Sequence, residues 1–247
     1  MMGNIKIFLL VMLVMLGGVP GTATAGKQVV CASVGEWPPM EYLNEDGRLA
    51  GYMVDLMEAA ARIAGFTIEF RIVAEKDIVA RLRDGEYDAI CSSMLNDALR
   101  REELDFTTPY FLSRQVLVIN GKRKIIASTD WSDLRFGARK GTFGMEAVRA
   151  MEGLSTEYDT ISGAMDDVYV QNLDGLVCDE PVARYYAQVK YKKELTLSGY
   201  LAHSSKKPVS IAVAKGNREI LQLLNKGISA VMLRGIDQEL QRKWFSR

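Results

Sequence analysis

The sequence predicts an α/β protein of two lobes, each a mostly parallel sheet flanked by helices, with a ligand cleft between them. Three observations carry this. Strand-like apolar runs alternate with helix-period stretches from Gln28 to Cys91; the same rhythm returns from Leu134 onward; and two extended runs, 113–120 and 207–214, are placed to cross between the modules. A β-α-β-α-β run implies parallel strands joined by right-handed crossovers. Two such modules in 247 residues leave each too small to be very stable alone.

The chain opens on a segment that does not belong to this rhythm. Lys6 precedes an apolar run from Ile7 to Leu16, then "GGVPG" and the small-residue triplet Ala23-Thr24-Ala25. A basic start, a short apolar core and an A-x-A site describe a cleaved secretory signal over residues 1–25. The competing reading, a buried first helix, leaves the cleavage site unexplained. The run is too short to span a bilayer, and no later segment approaches the roughly 20 residues a span needs. No cysteine directly follows the cleavage site, so a lipid anchor is not indicated.

"KQVVCAS" then reads as a strand, and "GYMVDLMEAAARIAGF" as a helix with apolar Val54, Met57, Ala61 and Ala64 at helical spacing, stopped by Gly65. "TIEFRIV" is a strand, "EKDIVARLRDGEY" a helix stopped by Gly85, and "YDAIC" a buried strand. In the second module "LRFGAR", "LSTEYD" and "LDGLVCD" read as strands, and "GMEAVRAME", "SGAMDDVYVQN" and "EPVARYYAQVKY" as helices. The chain closes with a strand, "PVSIAVA", and two helices, Asn217 to Leu233 and Ile236 to Phe245. Two extended crossovers make a hinge, and a cleft between hinged lobes is a natural ligand site.

Composition removes several function classes. Lys plus Arg and Asp plus Glu are equal at 31 each, which argues against a nucleic-acid partner wanting a basic face. The single histidine, His203, stands in the polar stretch "LAHSSKKP" with no His/Cys cluster, so a Ser-His-Asp triad or a catalytic zinc site is poorly provided for. No metal and no cofactor is expected. Three cysteines, Cys31, Cys91 and Cys178, all in apolar runs, are too few for a disulfide scaffold and fit small core hydrophobes. A single Cys31–Cys91 bridge would leave one thiol over.

With these elements laid out, "WPPMEY", "GRLAGYMVDLM", "GEYDAI", "LRREELDFTTPYF", "RKGTFG", "CDEPVARYY" and "DQELQRKWF" follow one another in an order and spacing that resembles the bacterial extracellular solute-binding proteins of the polar amino-acid group. The likeness runs from about Gln28 to Phe245. It implies the two-lobed periplasmic-binding-protein fold, with a signal at 1–25, a first lobe at 26–117 plus 211–247 and a second lobe at 118–210. It also implies a monomeric, extracytoplasmic receptor, not an enzyme, that hands an amino acid or small carboxylate to the membrane permease of an ABC importer.

The resemblance places an α-carboxylate clamp at Arg100, in the stretch "SSMLNDALRR". A guanidinium presents a planar fork to two carboxylate oxygens, and Asp97 can cap the helix that carries it. Read from the residues alone, Arg100 serves equally well as a surface arginine paired with Glu102 or Glu103. The partner of the α-ammonium falls on Asp179, at the carboxyl end of the strand "LDGLVC"; its other role is to cap the following helix, which has Pro181 near its start. Trp37, in a loop stiffened by Pro38-Pro39, offers an aromatic wall. Ser92 and Ser93 match positions that give hydroxyls or backbone groups to the ligand, and Thr142 matches one that approaches the carboxylate from the second lobe.

Departures from the family pattern bear on the ligand. Leu95 and Phe143 stand where hydroxyls are usual, and Met53 where an acid is common. Together with Met94 and Met40 they predict a more apolar pocket, suited to an apolar or aromatic side chain or to an unusual carboxylate. Glu36 is the nearby acid that would favour a basic group. The rival expectation is a cyclohexadienyl dehydratase on the same fold, which needs a carboxyl of raised pKa; Glu36 and Glu180 are its candidates. A third is a sensor that presents ligand to a membrane receptor.

Overall fold

The computed structural model describes residues 26–92, 100–123, 130–192, 194–198 and 205–245, with the backbone but not the side chain of Arg100. The signal-like segment, His203, and Ser93 through Asp97 lie outside the described residues. Among the described helices none is long and apolar enough to cross a membrane.

Two five-stranded sheets form the framework. The first runs in the order Thr67–Ile72, Gln28–Ser33, Ala89–Ile90, Ala212–Ala214, Leu104–Phe106, and the second Leu154–Tyr158, Arg135–Arg139, Gly175–Asp179, Gln115–Asn120, Leu195–Leu197. The orders are equivalent. In each, the three strands of the local β-α-β-α-β run are parallel, and a strand arriving from the other lobe then enters antiparallel. In each sheet four of the five strands therefore run the same way, as expected of a mostly parallel sheet, and only the crossing strand is reversed.

The crossings themselves sit in a small antiparallel ribbon, Phe111–Ser113 against Lys207–Val209. Each expected crossover strand is thus two strands: the run 113–120 breaks at Arg114 and the run 207–214 at Ser210–Ile211. On each side of the break the backbone pairs with a different sheet. A ribbon of two strands and no third is thin, as a hinge must be.

Both faces of each sheet are covered. In the first lobe the helix Tyr52–Ala64 buries Val54, Leu56, Met57 and Ala60 against the helix Arg218–Leu233, which contributes Ile220, Leu224, Ile228 and Val231. Gly227 allows the close approach of the two helices, since a Cβ there would meet Ala60 Cβ at 2.9 Å. The helix Tyr52–Ala64 stops where expected: Gly65 has φ 82° and donates its N–H to Ala61 O at 2.9 Å. Ile78, Leu82 and Leu104 pack on the opposite face. In the second lobe Met165, Leu176 and Val182 fill one face, and Phe136, Met145 and Val177 the other.

The terminal helix Ile236–Phe245 docks on the first lobe, as the sequence leads one to expect. Trp244 Nε1 donates to Asp55 Oδ2 at 2.7 Å, and the Phe245 ring lies 5.0 Å from Tyr52 and 5.3 Å from Phe111. All three cysteines are buried free thiols, Cys31 within its strand and Cys91 directly after the neighbouring strand Ala89–Ile90. Burial pushes the Cys91 thiol well above its ordinary pKa, which is the behaviour of a core hydrophobe. Met53 is fully buried in the first-lobe core, so it does not enter the pocket as the sequence suggested.

Candidate functional site

The first-lobe wall of the cleft is the loop around Trp37. Glu36–Trp37 pairs with Glu41–Leu43 in a short ribbon, the Pro38–Pro39 bond is cis, and the Met40 N–H closes a turn on Trp37 O at 2.7 Å. The first helical amides, which have no partner within their own helix, are used to hold this loop: Tyr52 N donates to Pro39 O and Met53 N to Met40 O, both at 2.9 Å. Gly51, the residue before the helix, has no side chain to cap it. Ser92 stands behind the loop, buried, its Oγ accepting from Val34 N and donating to Glu41 Oε1, each at 3.2 Å. Its hydroxyl ties the strand end to the ribbon.

The second-lobe wall carries Asp179, the last residue of its strand. It precedes the helix Glu180–Tyr185 but its side chain makes no capping bond. Instead Ser113 Oγ donates to Asp179 Oδ1 at 2.7 Å and Gln115 Nε2 at 2.8 Å. Both donors lie on the chain that crosses from the first lobe. Burial raises the Asp179 carboxyl above its ordinary range, and these two hydrogen bonds only partly oppose it.

That shift has a consequence for stability. With the folded pKa above the unfolded one, the folded chain holds the proton more tightly. Stability then falls as pH rises from the unfolded carboxyl value of about 4 through the folded value. Asp179→Asn keeps an acceptor oxygen for Ser113 and Gln115 and removes the buried charge. The ligand-free variant is expected to melt above wild type at neutral pH and level with it in acid, below the unfolded carboxyl pKa. A variant less stable at neutral pH would mean that the site favours the carboxylate.

Trp37 and Asp179 meet. With Met40, Phe111, Ser113 and Val209 they line a cavity of ≈ 10 Å³ between the lobes. That is room for about one water. A second, more open cavity of ≈ 440 Å³ is lined by residues that include Glu36, Tyr42, Arg139, Tyr185 and Lys190.

The remaining expected residues are placed as follows. Thr142 caps the helix Phe143–Arg149: its Oγ1 donates to Arg139 O at 2.6 Å and accepts from Met145 N at 3.4 Å. Its one hydroxyl proton is therefore committed within the second lobe, and an approach to a ligand through that hydroxyl would require the bond to Arg139 O to break. Phe143 is half-buried beneath the Lys207 ammonium, 4.8 Å from its ring centroid, and lines neither cavity described above. Arg100 opens the short helix Arg100–Glu103, while Glu103 pairs with Arg83 at 3.7 Å. Ser93, Leu95 and the Arg100 side chain lie outside the described residues.

The sequence reading passed over Arg139, although it stands in the motif "RKGTFG". It ends the strand Arg135–Arg139 with only 6% of its surface exposed. The run "LRFGAR" carries a second arginine, Arg135, which is exposed, so nothing local marks Arg139 as the buried one. Its Nε donates to Asp159 O at 3.1 Å, and its guanidinium reaches across the cleft to an ion pair with Glu75, to Glu36 at 3.7 Å, and over the Trp37 ring at 5.2 Å.

The dehydratase candidates fare poorly on chemistry. Glu180 accepts from Arg114 at 2.6 Å and from Arg184 at 2.6 Å, and these bonds, Arg114 foremost, hold its carboxyl below the ordinary range. A general acid for loss of water needs the opposite shift. Glu36 is more than half exposed and engaged with Arg139.

Comparison with known proteins agrees with a receptor. Residues 29–247 match the sequence model of the bacterial extracellular solute-binding proteins, family 3. The chain is 26% identical over 230 residues to the probable histidine-binding protein of Neisseria gonorrhoeae, covering 91% of this chain and 85% of that one. It is 27% identical over 217 residues to the L-cystine-binding protein TcyJ of Escherichia coli K12, with 85% and 80% covered. Its fold is similar to that of the arginine-, lysine-, histidine-binding protein ArtJ from Geobacillus stearothermophilus, with a TM-score of 0.79, 23% identity, and 90% and 96% covered. The paired sheets, the crossing ribbon between them and a match over nearly all of the described residues have one conclusion: the chain belongs to the bacterial extracellular solute-binding proteins of family 3.

Proposed function

We propose that this receptor captures an amino acid, or a closely related small carboxylate, between its lobes and delivers it to the membrane permease of an ABC importer. The observation that carries the reading is the meeting of Trp37 from one lobe and Asp179 from the other in a single cavity. Asp179 takes the α-ammonium, Trp37 packs on the side chain, and the α-carboxylate falls to Arg100, with Ser92, Ser93 and Thr142 contributing backbone or hydroxyl groups. Relatives named for histidine and for cystine, and a structural neighbour named for arginine, lysine and histidine, support the amino-acid class. Leu95 and Phe143, in place of hydroxyls, weaken the carboxylate end and favour an atypical ligand.

The cavity of ≈ 10 Å³ falls far short of the roughly 300 Å³ of a small-ligand pocket, so entry requires the lobes to part at the ribbon. Ligand contacts made to both lobes then stabilise the closed state. We read the lobes as 26–117 plus 211–247 and 118–210; the strand pairing favours a switch at 114 and at 210–211. The protein acts as a monomer outside the cytoplasm after cleavage following Ala25.

Calorimetry over the amino acids and small carboxylates tests the reading. At least one is expected to bind with Kd near 1 μM, about −8 kcal/mol. Binding of none, with a folded protein, would sink the proposal, as would turnover of a prephenate-like acid.

A further inference from the structure

The Arg139 guanidinium bridges the two lobes. It lies over the Trp37 ring at 5.2 Å and faces two carboxylates, Glu75 as an ion pair and Glu36 at 3.7 Å. Trp37, Glu36 and Glu75 belong to the first lobe, whereas Arg139 and its backbone partner, Asp159 O at 3.1 Å, belong to the second. An aromatic face flanked by carboxylates is chemically a receptor for a planar cation. Here the chain supplies that cation itself, with 6% of the residue exposed.

We propose that Arg139 is the specificity-determining residue of the cleft: its guanidinium fills the cation subsite formed by Trp37, Glu36 and Glu75, so the receptor excludes arginine and lysine and selects ligands whose side chain is uncharged or anionic. Two effects enforce the exclusion. The Trp37 face beneath the Arg139 guanidinium is covered, so a basic side chain cannot stack there, while the part of Trp37 that lines the cavity with Asp179 stays open to an uncharged side chain. Both carboxylates, each 57% exposed, are already engaged by one cation, and a second cation beside the buried guanidinium would meet like charge. The same contacts bridge the lobes, so Arg139 also joins the two walls of the cleft. An uncharged or anionic side chain can lie beside the guanidinium with none of this repulsion.

The inference rests on the amino-acid-receptor reading, but its test does not. Wild type and Arg139→Ala would be titrated with L-arginine, L-lysine, ethylguanidinium and uncharged amino acids, by calorimetry and thermal melts. Wild type is expected to bind neither basic amino acid. Arg139→Ala opens the subsite and is expected to gain at least about tenfold in L-arginine affinity over wild type. It is also expected to be stabilised by millimolar ethylguanidinium, with sodium chloride as the ionic-strength control. Adding Glu75→Gln to Arg139→Ala should abolish the ethylguanidinium effect. Saturable L-arginine binding by wild type overturns the proposal, and that arm needs no variant to fold. So does an Arg139→Ala protein that is folded by circular dichroism yet indifferent to ethylguanidinium. If no amino acid binds either protein but ethylguanidinium still rescues Arg139→Ala, the receptor reading fails and the subsite assignment stands.

Discussion

Asp179→Ala is expected to weaken binding of the receptor's ligand by about 100-fold, roughly 3 kcal/mol. The reasoning begins with what the carboxylate lacks. Ser113 and Gln115 both donate to Oδ1, and among the described residues no hydrogen bond reaches Oδ2. Neither donor carries charge, so among the described residues the ionised form has two dipoles for company and no counter-ion, and burial drives the carboxyl toward its neutral form. A ligand ammonium supplies the missing charge. Binding then draws the carboxyl back down, so affinity is expected to fall by up to about tenfold per pH unit below the ligand-free pKa. Calorimetry on Asp179→Ala and on wild type across pH measures both effects. Binding within about threefold of wild type would remove Asp179 from the ammonium role. The alanine variant also strips the acceptor from Ser113 and Gln115, so its melting temperature must be followed; Asp179→Asn keeps that acceptor and isolates the loss of charge.

The same residue shows where sequence reasoning reached and where it stopped. That Asp179 ends a strand at the cleft was legible, because "LDGLVCD" is a short apolar run ending in an acid. Its hydrogen bonds were not, because Ser113 and Gln115 are more than sixty residues away and meet it only through an antiparallel pairing set by the crossover. The alternation of strands and helices came through well where a helix carries an apolar face and a stop signal, as Tyr52–Ala64 does with Gly65. The crossovers read as single strands because no glycine or turn signal interrupts them at Arg114 or at Ser210–Ile211. The break there is imposed by a change of pairing partner, which leaves no local mark. Arg139 was missed for a different reason. Its partners Glu36, Trp37 and Glu75 lie in the other lobe, and a charged residue within a motif reads as solvated until burial is known. Thr142 was assigned to the ligand on resemblance, while its local geometry gives its hydroxyl to the helix it begins.

Gly51→Ala is expected to destabilise the protein by about 3 kcal/mol or more, lowering the melting temperature by about 6–12 °C. Two costs coincide at this position. Gly51 has φ 141°, a conformation that side-chain-bearing residues rarely adopt. A Cβ built there would also lie 2.3 Å from Met40 O and 2.9 Å from Glu41 Cα, both backbone atoms of the loop that carries Trp37. That carbonyl cannot yield cheaply, because it accepts the Met53 N–H and thereby satisfies one of the first amides of the helix Tyr52–Ala64. Relief of the clash must therefore either break the helix start or move the Pro38–Glu41 loop. Gly65→Ala is the matching control: Gly65 also has positive φ, 82°, but nothing lies within 4 Å of its would-be Cβ. It should cost about 1 kcal/mol, the left-handed penalty alone. Thermal melts of the two variants separate close approach from backbone conformation, and equal losses would show that the contact with Met40 is soft. In the folded fraction of Gly51→Ala, displacement of the loop should carry Trp37 away from Asp179. Ligand affinity should then fall even though Gly51 itself lines neither of the cavities between the lobes.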